Sequence, residues 1–167
     1  PVTDTYIEKD SSINEEIDKL RIKSSTSLVS RKDVIVIASV SCIYGVGSPK
    51  EYIDLLITVK KNQIINPKDL FKSLIDIHYL RNDMVIDGGI FRVRGDIVDI
   101  FPIYDEHPIR LEFFGDEIEK ISIFDLVTGE ILKELEYVTF YPCKNFVTSK
   151  ETIEKGIKSI KKELFDR

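Results

Sequence analysis

Arg92 and Arg94 alternate with Phe91 and Val93, and further on Arg110 and Glu112 alternate with Ile109, Leu111 and Phe113. A guanidinium holds several donors in a rigid planar fork and pairs bidentately with a carboxylate. Period-two spacing sends such side chains to one face of a strand and their apolar neighbours to the other. The stretch from Phe91 to Phe124, FRVRGDIVDIFPIYDEHPIRLEFFGDEIEKISIF, therefore reads as a small antiparallel sheet with a wet face bearing Arg92, Arg94, Arg110 and Glu112. Two readings of that face stay open. It is either a solubilising coat, for which the residue types hardly matter, or a docking surface. Interfacial charge pairs steer encounter and set specificity more surely than they add affinity. A single desolvated arginine can still carry roughly 2 kcal/mol or more of an interface.

The other chemistry-bearing residues form no complete site. Gly45-Val46-Gly47-Ser48 either aims backbone amides at an anion from a helix start or is a bare strand-to-helix turn. No G-x-x-x-x-G-K-S/T loop is present to hold a nucleotide. Ser39 and Ser41 close an apolar run, a place where α/β proteins set ligand groups, although local hydrogen bonding explains them too. His78 and His107 are 29 positions apart and make no metal-ligand pattern. Asp96, Asp99, Asp105, Glu106, Asp116, Glu117 and Glu119 read as a solvated surface, with no pair spaced for acid and base roles. Cys42 has no histidine or asparagine near it in sequence to make it a nucleophile. Tyr6, on an early extended arm, is either core or a platform for a nucleic-acid base.

The 167 residues suffice for one domain, or one domain with part of another. With 43% hydrophobic and 32% charged residues, the chain has globular composition. Its net charge of -5 argues against a basic nucleic-acid-binding domain and favours a protein partner for the arginines. Cys42 and Cys143 are expected to be buried free thiols in a reducing compartment. No signal peptide and no membrane-spanning apolar run is evident, so the expected location is cytoplasmic. The opening PVTDTYIEKD, without Met, fits a processed protein or a piece of a longer one.

The elements that must position these residues follow in order. Residues 1–10 read as an extended arm. Ser12 and Glu15 form a capping box for a helix from about 13 to the mid 20s, anchored by Ile13, Ile17 and Leu20 and weakened by Ser24 to Ser27. VIVIASV, residues 34–40, reads as a strand covered on both faces. Ser48, Pro49 and Glu51 start a helix over about 49–58, with Tyr52, Leu55 and Leu56 as anchors. Asn66-Pro67 starts another, to about 78, with Leu70, Leu74 and Ile77 on one face. Met84 to Ile86 is expected as a short strand, and Asp87-Gly88-Gly89 as a tight turn into the central sheet. Strands follow at 118–124, 130–135 and 137–141. A helix capped by Thr148, with Ile153, Ile157, Ile160 and Leu164 in one stripe, ends the chain. The fold class is α+β: a small antiparallel-rich sheet with helices, flanked by partial elements of an α/β domain, which the resemblance described next implies are helicase-domain elements.

Several strings go further. DTYIEKDSSINEEIDKLR (4–21), DVIVIASVSCIYGVGSPKEY (33–52), RNDMVIDGGIFRVRGDIVDIFP (81–102) and IRLEFFGDEIEKI (109–121) closely resemble the UvrB component of the bacterial excinuclease ABC. The resemblance covers essentially the whole chain. It implies a helicase-like ATPase of nucleotide excision repair. Residues 1–54 would be the latter part of its first helicase-type domain, 55–146 an inserted domain that binds the damage-recognition ATPase UvrA, and 147–167 a helix returning to the helicase core. The family's docking residues for UvrA match Arg81, Arg92, Arg94, Arg110 and Glu112; Arg81 is added by the resemblance alone. Tyr6 and Glu8 match the outgoing arm of a DNA-inserted hairpin, and Ser39 and Ser41 are further candidate DNA contacts in a full-length parent. ATP and Mg, damaged DNA and UvrC are implied for that parent only. The fragment itself is expected to be catalytically inactive and without cofactor, metal or membrane contact. The alternatives are the UvrA-binding module of the transcription-repair coupling factor, a nucleic-acid-binding module, and a small enzyme with a ligand site in residues 34–50.

Overall fold

The period-two stretch forms the centre of a six-stranded sheet in the computed structural model, which describes residues 15–43, 48–144 and 150–165. The described elements are α1 (Glu15–Ser30), a 3-10 turn (Val40–Ile43), α2 (Pro49–Asp54), β1 (Ile57–Lys60), α3 (Pro67–Asp76), β2 (Leu80–Arg81), β3 (Ile90–Arg94), β4 (Ile97–Phe101), β5 (Ile109–Phe114), β6 (Glu117–Phe124), β7 (Ile131–Leu135), β8 (Tyr137–Phe140) and α4 (Lys150–Phe165). The sheet order is β2-β3-β4-β5-β6-β7; β1 and β8 make a separate two-stranded ribbon. All pairings are antiparallel except β2 with β3. This is the expected α+β class with an antiparallel-rich sheet.

Two turns set the register of the sheet. Gly95-Asp96 joins β3 to β4 with Arg94 opposite Ile97, and Gly115-Asp116 joins β5 to β6 with Phe114 opposite Glu117. Both glycines have φ of 62°, at the first loop position, where a type II′ hairpin turn needs a left-handed residue. A β-bulge at Glu112/Phe113 then shifts the β5–β6 register.

The core lies on one face of this sheet. Phe91, Val98, Ile100, Ile109, Leu111, Ile118 and Ile121 pack with Leu70 and Leu74 of α3, with Ile77 and Tyr79, and with Val59, Val138 and Phe140 of the ribbon. Helix α3 forms as its sequence indicates. Asn66 Oδ1 accepts from Lys68 N at 2.9 Å, Pro67 occupies the first turn, and Leu70 and Leu74, four apart, are fully buried. Replacing Asn66 with Ala is expected to destabilise the fold by about 1 kcal/mol, read as a lower urea midpoint with an unchanged slope. An unchanged midpoint would mean that the cap contributes nothing.

The structure corrects several expectations. Residues 34–39 are not a strand. Ile35 and Ile37 are 91% and 95% exposed, because no described strand lies beside them to complete a sheet. The helix begun at Pro49 stops at Asp54, and Ser48 makes no side-chain cap bond. Beyond it, the β-branched run Ile57-Thr58-Val59 pairs with β8, and the Thr58 and Thr139 hydroxyls meet at 2.9 Å. No strand forms at Met84 to Ile86. Asn82 Oδ1 accepts from Met84 N and Val85 N, and Asp83 Oδ1 accepts from Val93 N, so side chains take the place of a ladder. The short strand lies earlier, at Leu80–Arg81.

Helix α1 runs unbroken through Ser24 to Ser27, with the Ser24 and Ser27 hydroxyls donating to the carbonyls one turn back. Its buried residues are Ile22 and Thr26, whereas Ile17 and Leu20 are exposed. Ile157, Ile160 and Leu164 of α4 are also exposed. Cys143 is a buried free thiol, but Cys42 is only partly buried. The arm at 1–10, the cap residue Ser12, Ile13, the Gly45–Gly47 turn and Thr148 lie outside the described residues, as does the Ile153 side chain. Among the described residues, no helix is long and apolar enough to cross a membrane.

Candidate protein-docking face

Opposite the core, the sheet carries a lateral row fixed by register. Arg92 on β3 pairs with Asp99 on β4, Asp99 with Arg110 on β5, Arg110 with Ser122 on β6, and Ser122 with Glu134 on β7. A second row runs Arg94, Ile97, Glu112, Lys120. Four of the five candidate docking residues, Arg92, Arg94, Arg110 and Glu112, therefore share one rigid face.

Asp99 is the centre of the first row. Its side chain is 2% exposed, between Arg92 at 14% and Arg110 at 24%. Arg92 Nε donates to Asp99 Oδ2 at 2.8 Å, and its Nη2 lies 2.8 Å from the same oxygen. Arg110 Nε donates to Oδ1 at 2.7 Å and Nη2 to Oδ2 at 3.2 Å. Its Cζ also sits 4.3 Å from the centre of the Phe124 ring, a cation–π contact. Hydrogen bonding to Asp99, reinforced by its charge, raises the Arg110 pKa above its ordinary value. The expectation that Asp99 belongs to a solvated surface is thus overturned. A buried carboxylate needs partners, and here two guanidiniums supply them.

The rim is more open. Lys120 Nζ lies 2.7 Å from Glu134 Oε1; this hydrogen bond raises the lysine pKa and lowers that of the glutamate. Arg94 is exposed and has no ion pair among the described residues. Phe114, in the polar-face phase of β5 and 79% exposed, adds an aromatic that sequence reasoning does not single out.

Arg81 is not on this face. It pairs in register with Phe91, a core-side residue, and its guanidinium lies 5.8 Å from the Phe71 ring centre. Asp83 holds it, with Nη2 to Oδ2 at 2.9 Å, and hydrogen bonding to Arg81 lowers the Asp83 pKa. Tyr6 and Glu8 lie outside the described residues, as does the Ser41 side chain. Ser39 is exposed, with Oγ 3.7 Å from Cys42 Sγ. Among the described residues no group of three His, Cys, Asp or Glu could hold a metal ion. The sequence carries no G-x-x-x-x-G-K-S/T phosphate-binding loop.

Comparison with known proteins identifies the family of the segment that carries the sheet. Residues 57–146 match the family model described as UvrB interaction domain. The chain is 52% identical over its whole length to the UvrABC system protein B of Carboxydothermus hydrogenoformans, and 54% identical to that of Bacillus velezensis. Over 98% of the chain, it is 53% identical to the Bacillus subtilis protein of the same name. In each case it spans about a quarter of the relative's length, 25%. The matched segment contains every strand of the sheet and ribbon, and more than half of the chain: it belongs to the UvrB interaction domain family.

Proposed function

We propose that this chain is a protein-docking module of the excinuclease component UvrB and that it binds UvrA through the face bearing Arg92, Arg94, Arg110 and Glu112. The observation that carries the reading is the Arg92–Asp99–Arg110 row. Two arginines are held on one rigid face, with a net charge of one after pairing, in a chain whose overall charge is -5. A solubilising coat needs no such fixation. In this reading residues 55–146 are the inserted docking domain. Residues 1–54 belong to the preceding helicase-type domain and residues 147–167 to the return into it. Arg81 contributes from the sheet edge. ATP and Mg use, encounter with UvrC and contact with damaged DNA through Tyr6, Glu8, Ser39 and Ser41 belong to the longer protein, which works in the cytoplasm.

Calorimetric titration of the chain against UvrA tests this. Wild type is expected to bind saturably, and the Arg92→Ala/Arg94→Ala double variant to bind at least about 30-fold more weakly, as loss of hot-spot arginines implies. Undiminished binding by a folded double variant would return these arginines to the status of a coat.

A further inference from the structure

Arg92 and Arg110 reach Asp99 by the same edge, Nε with Nη2. Each therefore turns its Nη1 away from the carboxylate. The poses are fixed from several sides: four contacts of 2.7–3.2 Å converge on Asp99, and Phe124 supports Arg110 at 4.3 Å. The two arginines stand on strands either side of β4, so their backbones are about 10 Å apart. A long flexible side chain normally loses rotamer freedom when it is immobilised at an interface. Here that ordering has already happened in the free domain.

Resting on the docking reading above, we propose that Asp99 is a positioning residue of the face. It holds Arg92 and Arg110 so that their Nη1 groups, which Asp99 does not engage, form a preformed two-pronged receptor for a carboxylate-bearing segment of UvrA. Asp99 touches no partner atom; it acts through the two arginines. Its negative charge makes the proposal sharply testable. Removing it leaves the face more cationic, so long-range electrostatics alone would hasten association with an acidic partner. Loss of positioning acts the other way, by speeding dissociation.

The test measures association and dissociation rates of the chain with UvrA for wild type and Asp99→Asn, each also in an Arg92→Ala/Arg110→Ala background, with tertiary structure checked by near-ultraviolet dichroism. Positioning predicts that Asp99→Asn weakens binding by about tenfold, almost wholly through dissociation, and by less than about twofold when both arginines are absent. Binding by folded Asp99→Asn that is unchanged or tighter overturns the proposal. So does an equal loss in both backgrounds, which would mark a merely structural role. Should Asp99→Asn not fold, Phe124→Leu removes the ring under Arg110 while keeping an apolar side chain at that buried position. It is expected to raise the dissociation rate by about threefold in wild type and to leave an Arg110→Ala background unmoved; no change in wild type overturns the proposal. Failure of wild type itself to bind UvrA would instead overturn the docking reading on which this rests.

Discussion

Raising the pH from about 8 to about 12 is expected to unfold the domain, through acids that the core holds in their neutral forms. Burial pushes the Cys143 thiol up to about 12. It pushes the Tyr79 and Tyr104 hydroxyls above their ordinary value too, and that of Tyr52 in the same direction. These groups cluster where the chain leaves the ribbon: Cys143 N donates to Ile77 O at 3.0 Å, Tyr141 N donates to Tyr104 Oη at 3.0 Å, and the Tyr104 and Tyr141 rings meet edge to face. In the unfolded chain a cysteine ionises near about 8.5 and a tyrosine near about 10. Above those values the unfolded state binds fewer protons than the folded one, so stability falls as pH rises. The stabilisation is complete below about 8.5 and is lost on the way to about 12. At roughly 1.4 kcal/mol per unit, the thiol alone accounts for about 5 kcal/mol, a large part of the roughly 5–15 kcal/mol typical of a domain. Urea midpoints from about pH 8 to about pH 11 should fall steadily, and Cys143→Ala should flatten the early part of that fall. A midpoint that stays level across the range would contradict the protonated core.

Phe91→Ala is expected to cost about 3–5 kcal/mol, the range for emptying a buried aromatic site. Phe91 is fully buried and sits opposite Ile100 on β4. Its ring stacks on Phe71 with centroids 5.7 Å apart, and Arg81 lies over the far partner of that stack. The substitution therefore removes apolar area, leaves a cavity and loosens an aromatic contact at once. Urea unfolding at neutral pH reads the effect, and a loss under about 1 kcal/mol would mean that the sheet does not rest on this ring. On the docking function proposed above, the same variant should weaken UvrA binding, since Arg92 is the adjacent residue of the same strand.

Much of the sheet is legible in the sequence because its alternation is strict. Phe91, Val93, Ile109, Leu111 and Phe113 point one way and the charged residues the other, and in this sheet the apolar phase is the core side. Asp99 escapes such reasoning because a carboxylate between two apolar residues looks like any outward strand position. The signal is present in part. A two-residue Gly95-Asp96 loop sets Arg94 opposite Ile97, and counting outward from there sets Arg92 opposite Asp99. The second neighbour, Arg110, cannot be counted this way, because the β4–β5 connection is long and its register is settled by packing. Arg81 joins the candidate residues through the resemblance alone, since its two-residue strand is too short to show a phase in the sequence. Its place beside Phe71 follows only from the parallel pairing of β2 with β3. The VIVIASV run shows the opposite limit: apolar composition asks for cover that residues elsewhere must provide, and the described ones leave it exposed.

The two-stranded ribbon has a mechanical consequence. Ile57 lies opposite Phe140 and Lys60 opposite Tyr137, so the preceding and following chain attach at the same end of the ladder. A pull that separates those flanks loads the rungs in succession, like a zipper, instead of all together in shear. The first rung to yield carries Phe140, which packs edge to face on Tyr79, and Val59 follows two rungs later. Both residues belong to the apolar floor beneath the sheet. Tension along the chain would thus reach the arginine row from below, by withdrawing its floor.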